Sequence, residues 1–326
     1  MQHPASRSPL ILAPIAGCLL WLAPELPAQV TYHDAAGNTV VAEDVEVEKL
    51  GSGMRFVEGP IWLANEKRLL FSDIPRSKIL QWSEEGGITE FRESEQSNGN
   101  TLDRQGRLIS CQHAGRNVVR TAADGSITVL TETHDGKKLN SPNDAAVRND
   151  GTIWFTDPTY GLRGREKEQD GNYVYCLDPE TGASRIVSED FDMPNGICFS
   201  PGHDRVYIAD SGKKQRVGAF EIADDGSLKN LFWLEGGADG IRCDRAGNLY
   251  TTARDGIRAY SPKGQHLCTI AIPEVPANCA FGGEDFTTLF VTARTSLYRL
   301  QLLIPGAPVP PKAKKAAPKK QKSSKG

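Results

Sequence analysis

Methionine is scarce in this chain, three residues among 326, whereas glycine is abundant at 32. That balance argues against a helical bundle and for a turn-rich β protein. No stretch of useful length has the apolar spacing of an amphipathic helix. The seven cysteines contain no C-x-x-C pair, which excludes a zinc site built from thiolates. Six of them (Cys111, Cys176, Cys198, Cys243, Cys268, Cys279) are scattered and read as buried strand thiols, with pairing of some of them the alternative for an exported protein. Acidic residues are missing from residues 310–326, which carry seven lysines, so the remainder of the chain has a net charge of −10. An acidic body is the wrong partner for nucleic acid. Long apolar runs are also missing. The one candidate, Leu10–Ala23, is short for a membrane span.

That run follows Arg7 and ends near "ELPAQV", the layout of a secretory signal with Ala28 as the last residue removed. A second reading takes "IAGC" as a lipobox that would place a lipid anchor on Cys18. Either reading predicts an exported protein, periplasmic or secreted, with no membrane span in its mature form. The other end, residues 305–326, is rich in Pro and Lys and lacks an apolar pattern, so a disordered and dispensable tail is expected there. Between the two lies one domain, residues 29–304.

That domain is repetitive. "EGPIWLANEKRLLFSD", "NGNTLDRQGRLISCQH", "NDAAVRNDGTIWFTD", "NGICFSPGHDRVYIAD", "DGIRCDRAGNLYTTAR" and "NCAFGGEDFTTLFVTAR" share one plan: a polar anchor, an apolar run, a turn and a second apolar run. The anchors are Glu58, Asn98, Asn143, Asn195, Asp239 and Asn278, spaced 40, 45, 52, 44 and 39 residues apart. "RQGR", "NDG", "PGHD" and "RAGN" between the apolar runs mark hairpins. Further apolar strands such as "SKILQW" and "GNYVYCLD" bring each unit to four strands, the size of a propeller blade. The fold expected is therefore all-β, a six-bladed β-propeller. The segment "DVEVEKL" is expected to close the ring against the last blade.

Rotation about a common axis would bring the six anchors to one mouth of the central channel. The ends of the second strands, Asp73, His113, Asp157, Asp210, Arg254 and Arg294, would ring the same mouth. Asn or Asp before Gly is an ordinary turn pair, and Asn98 reads that way; Asn278, which stands before Cys279, is also read as a turn residue. Glu58 before Gly59-Pro60 is not, because glutamate is no turn former. Glu58 and Asp239 converging with the Asn195 amide would repel unless a cation lay between them. All-oxygen donors suit a hard divalent ion, Ca²⁺ first, with Mg²⁺, Mn²⁺ or Zn²⁺ as alternatives. His113, Asp157, Asp210 and Tyr160 are candidates for the surrounding shell or substrate contacts.

Taken together, "EGPIW", "SPND", "TDPTYGL", "MPNGICFS", "GADGIRCD" and "FGGEDFTTLFVTA" resemble the gluconolactonase/regucalcin (senescence-marker protein) family from about Phe56 to Leu300. The resemblance implies a six-bladed propeller with one divalent metal held by Glu58, Asn195 and Asp239. It further implies Asp239 as proton donor and acceptor and Asn143 as a contact to the metal site and substrate. Where some members carry an arginine two residues before Asn143, this chain has Ser141. The expected activity is metal-dependent hydrolysis of a small sugar lactone, with Asp239 as base and Asp210 in reserve. The alternatives are hydrolysis of other lactones, esters or phosphotriesters, or a non-catalytic binding propeller pinned by calcium.

Overall fold

The computed structural model describes residues 29–309. The expected signal segment 1–28, Cys18 and the lysine cluster of the tail lie outside the described residues. Among the described residues no helix is long and apolar enough to cross a membrane.

Six four-stranded antiparallel sheets follow one another. Blade 1 comprises Val57–Leu63, Arg68–Asp73, Lys78–Ser83 and Gly87–Glu93, and blade 2 Ser97–Leu102, Leu108–Gln112, Asn117–Thr121 and Ile127–Thr131. Blade 3 comprises Ala145–Val147, Ile153–Asp157, Tyr173–Leu177 and Ser184–Ser188, and blade 4 Pro194–Phe199, Arg205–Asp210, Arg216–Ile222 and Leu228–Glu235. Blade 5 has Ile241–Cys243, Leu249–Ala253, Gly256–Tyr260 and His266–Ile270, and blade 6 Asn278–Gly282, Thr288–Ala293 and Ser296–Gln301. The fourth strand of blade 6 is Glu48–Ser52, paired with Ser296–Gln301. The ring is thus closed by the segment expected to close it. Val30–Tyr32 adds a fifth strand to blade 5, pairing with His266–Ile270. Each first strand touches the next blade's first strand, and the sixth touches the first.

The core lies between blades, because each sheet is apolar on both faces and must cover both. Trp62 stacks on Phe290 at 5.3 Å where blade 6 meets blade 1, and Trp154 packs edge-on to Phe199 at 5.4 Å where blade 3 meets blade 4. Burying a ring of Trp154's size removes roughly 200 Å² from water, an upper estimate of about 5 kcal/mol.

Two expectations are corrected. The anchors read as turn residues are not in turns: Asn98 lies inside a first strand, as Glu58 and Asn195 do, each before a glycine, and Asn278 opens one. The glycines are there because adjacent blades touch backbone to backbone. A Cβ on Gly59 would lie 2.0 Å from Asn98 O, and one on Gly196 would lie 2.3 Å from Asp239 O. The second correction concerns the tail boundary. Residues 305–309 belong to the fold: Gly306 N donates to Phe286 O, Ala307 N to Cys243 O, and Arg245 N to Pro305 O, at 2.8–3.0 Å. Val309 then packs on Ile61, Leu70, Ile79, Leu102 and Leu108 of blades 1 and 2. The strap therefore runs from blades 5 and 6 to blades 1 and 2, across the channel end opposite the anchors.

Candidate metal centre

The ring brings Glu58, Asn195 and Asp239 together. Glu58 is buried, and its Oε2 accepts from Gly59 N at 2.7 Å and from Asn278 Nδ2 at 2.9 Å. Asp239 lies close enough to both Glu58 and Asn195 for their side chains to shift its carboxyl. Asn195 is fixed in turn: its Nδ2 donates to Ser211 Oγ at 3.0 Å, and Ser211 donates to Ala238 O at 2.7 Å. Asn143 is 5% exposed and is held by its backbone, with N donating to Thr156 O and O accepting from Gly99 N, both 2.8 Å. Among the described residues, the side-chain amide of Asn143 and the Oδ1 of Asn195 have no hydrogen-bond partner within the chain.

Burial pushes the Glu58 carboxyl well above the usual range, and the Asp239 charge pushes it further. Burial likewise raises Asp239, to about 7, with Asp144 adding to the rise. Among the described residues no Lys, Arg or His forms an ion pair with either carboxyl, and the upward shift of each favours its keeping a proton. A divalent cation in place of that proton would relieve the repulsion, and all the available donors are oxygens. The residues fit a hard ion. Among the described residues no three His, Cys, Asp or Glu side chains are placed to hold one metal ion, so the set depends on the asparagine amide as well as the carboxylates.

The second-strand residues have another task. Asp73 accepts from the backbone N–H groups of Arg55 and Phe56, Asp157 from Asn140 and Ser141 (both 2.8 Å), and Asp210 from Asp192, Met193 and Gly212 (2.9–3.2 Å). Each carboxylate clamps the chain two or three residues before an anchor: Glu58, Asn143 or Asn195. Asp157 and Asp210 thus hold the backbone beneath the site instead of facing a ligand. Their lone pairs are committed to amides, so Asp210 is poorly placed as a reserve base. His113 serves blade 2 differently, with Nε2 lying 3.1 Å from Asn98 Nδ2. Tyr160 is 41% exposed, and its hydroxyl end lies against Ser211 and Asn195. That places it beside the metal residues, with burial as the main cause of a phenol pKa of about 12. Ser141 Oγ donates to Pro158 O at 2.6 Å and accepts from Gly161 N at 2.9 Å, so it fastens the Tyr160 loop over the mouth.

Three residues escaped sequence reasoning. Asn278, read as a turn former, orients Glu58. Asp144 and Arg242 form a buried ion pair from blade 3 to blade 5, Nη1 to Oδ2 3.2 Å. Asp144 fills the position after the anchor that is glycine in four of the six repeats, and that break in the pattern was the available sign. Arg242, in "DGIRCD", gave none.

This geometry has recognisable relatives. The gluconolactonase of Zymomonas mobilis is 29% identical over 308 residues, covering 84% of this chain and 86% of its own. A 6-deoxy-6-sulfogluconolactonase of Pseudomonas putida is 27% identical, covering 72% and 82%. The solved structure of a gluconolactonase from Xanthomonas campestris superposes with a TM-score of 0.80 at 32% identity, over 86% of this chain and 98% of that one. Residues 56–295, which contain all six anchors, match the SMP-30/gluconolactonase/LRE-like region, and the chain belongs to that family.

Proposed function

We propose that this protein is a hydrolase of small sugar lactones, gluconolactone-like, that works with one divalent cation at the channel mouth. The observation that carries the reading is the uncompensated pair Glu58–Asp239 beside the open Asn195 amide, in a chain similar to gluconolactonases. Glu58, Asn195 and Asp239 would hold the ion, Ca²⁺ by preference, and the ion supplies Lewis acidity toward a carbonyl oxygen.

The remaining work falls to the chain's own groups. Asp239 is the base: it takes a proton from the attacking water and returns it to the ring oxygen as the C–O bond opens. Glu58 cannot serve equally, because Gly59 and Asn278 occupy one of its oxygens. Asn143 presents its free amide to the substrate's oxygens. Tyr160 walls the mouth on the Asn195 side. The product is a hydroxy acid, and its carboxylate is repelled by the acidic body, which favours release.

Export, read from residues 1–28, belongs to the same proposal. A panel of glucono-1,5-lactone, a plain aliphatic lactone, an aryl ester and a phosphotriester, each assayed with and without chelator, tests it. Chelator-sensitive turnover highest on the sugar lactone is expected. Turnover confined to the aryl ester or phosphotriester would reassign the substrate, and no turnover on any would favour a binding propeller.

A further inference from the structure

Two thiols that the lactonase reading does not use meet beneath the site. Cys198 Sγ lies 3.7 Å from Cys243 Sγ. Cys198 is on the first strand of blade 4, three residues after Asn195, and Cys243 is on the first strand of blade 5, four residues after Asp239. Both are buried, at 6% and 4% exposure, in the apolar cluster between these blades with Tyr207, Val217, Ile241 and Leu249. The two strands are already tied just above the thiols, where Gly196 N donates to Asp239 O at 2.8 Å. Among the described residues no other pair of thiols is in contact.

We propose that Cys198 and Cys243 close into a disulfide when the chain folds under oxidising conditions, stapling blade 4 to blade 5 directly beneath two of the residues of the metal centre. The sulfurs must approach to about 2.05 Å, a closure of under 2 Å between two side chains that already face each other. The chemistry is thiol–disulfide exchange with a small disulfide oxidant. One protein thiolate displaces a thiolate from the oxidant and forms a mixed disulfide. The second protein thiolate then displaces the oxidant's remaining sulfur, so the protons of the two protein thiols pass to the two released thiolates and one disulfide replaces another. Inside the finished cluster the neighbouring Cys198 thiol and burial hold the Cys243 thiol well above the usual thiol range, and the charge of Arg242 offsets this only in part. Pairing therefore belongs to folding, before the blades close. Exported chains meet such oxidants and cytosolic chains do not. The inference does not depend on the substrate.

The test is refolding of the full chain in a buffer of reduced and oxidised glutathione, followed by alkylation in denaturant and peptide mass mapping. Of the six cysteines beyond Cys18, four should alkylate, and the one linked peptide pair should contain Cys198 and Cys243. The oxidised protein should melt roughly 5–10 °C above the same protein treated with dithiothreitol. Cys243→Ser and, separately, Cys198→Ala should abolish both the link and the melting difference. Six alkylated cysteines in the wild type, or a link between any other two, would overturn the proposal, and that count needs no variant to fold.

Discussion

Replacing His113 by Gln should make the fold less sensitive to acid. His113 is 5% exposed at the end of the second strand of blade 2. Its Nε2 faces the Asn98 amide, so that nitrogen is the bare one and Nδ1 carries the proton. A Cβ on Gly161 would lie 2.5 Å from His113 Cβ, which shows how tightly the loop above closes it in. Burial first, and then the charges of Arg163 and Arg165, hold the imidazole at about 4, against 6.5 in the unfolded chain. As pH falls below 6.5 the unfolded chain takes up a proton and the folded one does not, so stability is lost across the window from 6.5 to 4. The full gap is worth roughly 3 kcal/mol, of which about 2 kcal/mol disappears between pH 7 and pH 5. Glutamine keeps an acceptor for Asn98 and does not titrate. Urea unfolding at pH 7 and pH 5, at constant ionic strength, should show the wild type losing about 2 kcal/mol more than His113→Gln. All other groups titrate in both proteins and cancel. Equal losses would mean that His113 is already protonated in the fold, and the reasoning fails. Because the imidazole is neutral throughout the neutral range, lactone turnover at pH 7 should survive the substitution.

Further outcomes follow from the same geometry. Glu58→Gln should weaken metal binding and recover part of its turnover in excess metal, whereas Asp239→Asn should stay about 100- to 10,000-fold slow at saturating metal; turnover against metal concentration, with bound metal counted separately, distinguishes them, and wild-type rates in saturated Asp239→Asn would remove it as base. Arg242→Met should cost roughly 3–5 kcal/mol by stranding Asp144, and the double variant with Asp144→Asn should recover most of that in denaturant titrations; additive losses would show the pair to be uncoupled. Removing residues 310–326 should change neither Tm nor turnover, but removing 305–326 should cost roughly 2–4 kcal/mol by stripping the Val309 contacts from blades 1 and 2; identical melting of the two truncations would show the strap to be inert.

The ring was legible because propeller blades repeat in sequence as they do in space. The spacing of Glu58, Asn98, Asn143, Asn195, Asp239 and Asn278 depends on blade size, and the hairpin turns between are local chemistry. What local chemistry could not reveal was contact between blades. Gly59 and Gly196 look like turn residues because a glycine in a turn and a glycine under a neighbouring backbone are identical in sequence. Asp73, Asp157 and Asp210 share the mouth with the anchors and so read as residues that could orient ligands or waters, and the structure gives their oxygens to backbone amides. Val30–Tyr32 and residues 305–309 are too short to carry a period, and only the finished surface gives them a place to pair.

The Asp144–Arg242 pair explains why the mouth suits a dication. Three carboxylates, Glu58, Asp144 and Asp239, influence one another within a channel of low dielectric. The guanidinium of Arg242 bonds to Asp144 and to Ile241 O, so one of the three charges is compensated by the protein itself. The other two face each other without a cationic side chain. Had Arg242 reached Glu58 instead, a divalent ion would meet a site of net charge −1 and bind more weakly. Had Asp144 been the glycine that most repeats carry, Arg242 would lie buried without a partner and would be free to repel the ion. Asp144 is therefore placed to offset the charge of Arg242, which leaves Glu58 and Asp239 as the two carboxyls available to the proposed ion. The anchors set the geometry of the proposed metal centre, and this pair bears on its charge.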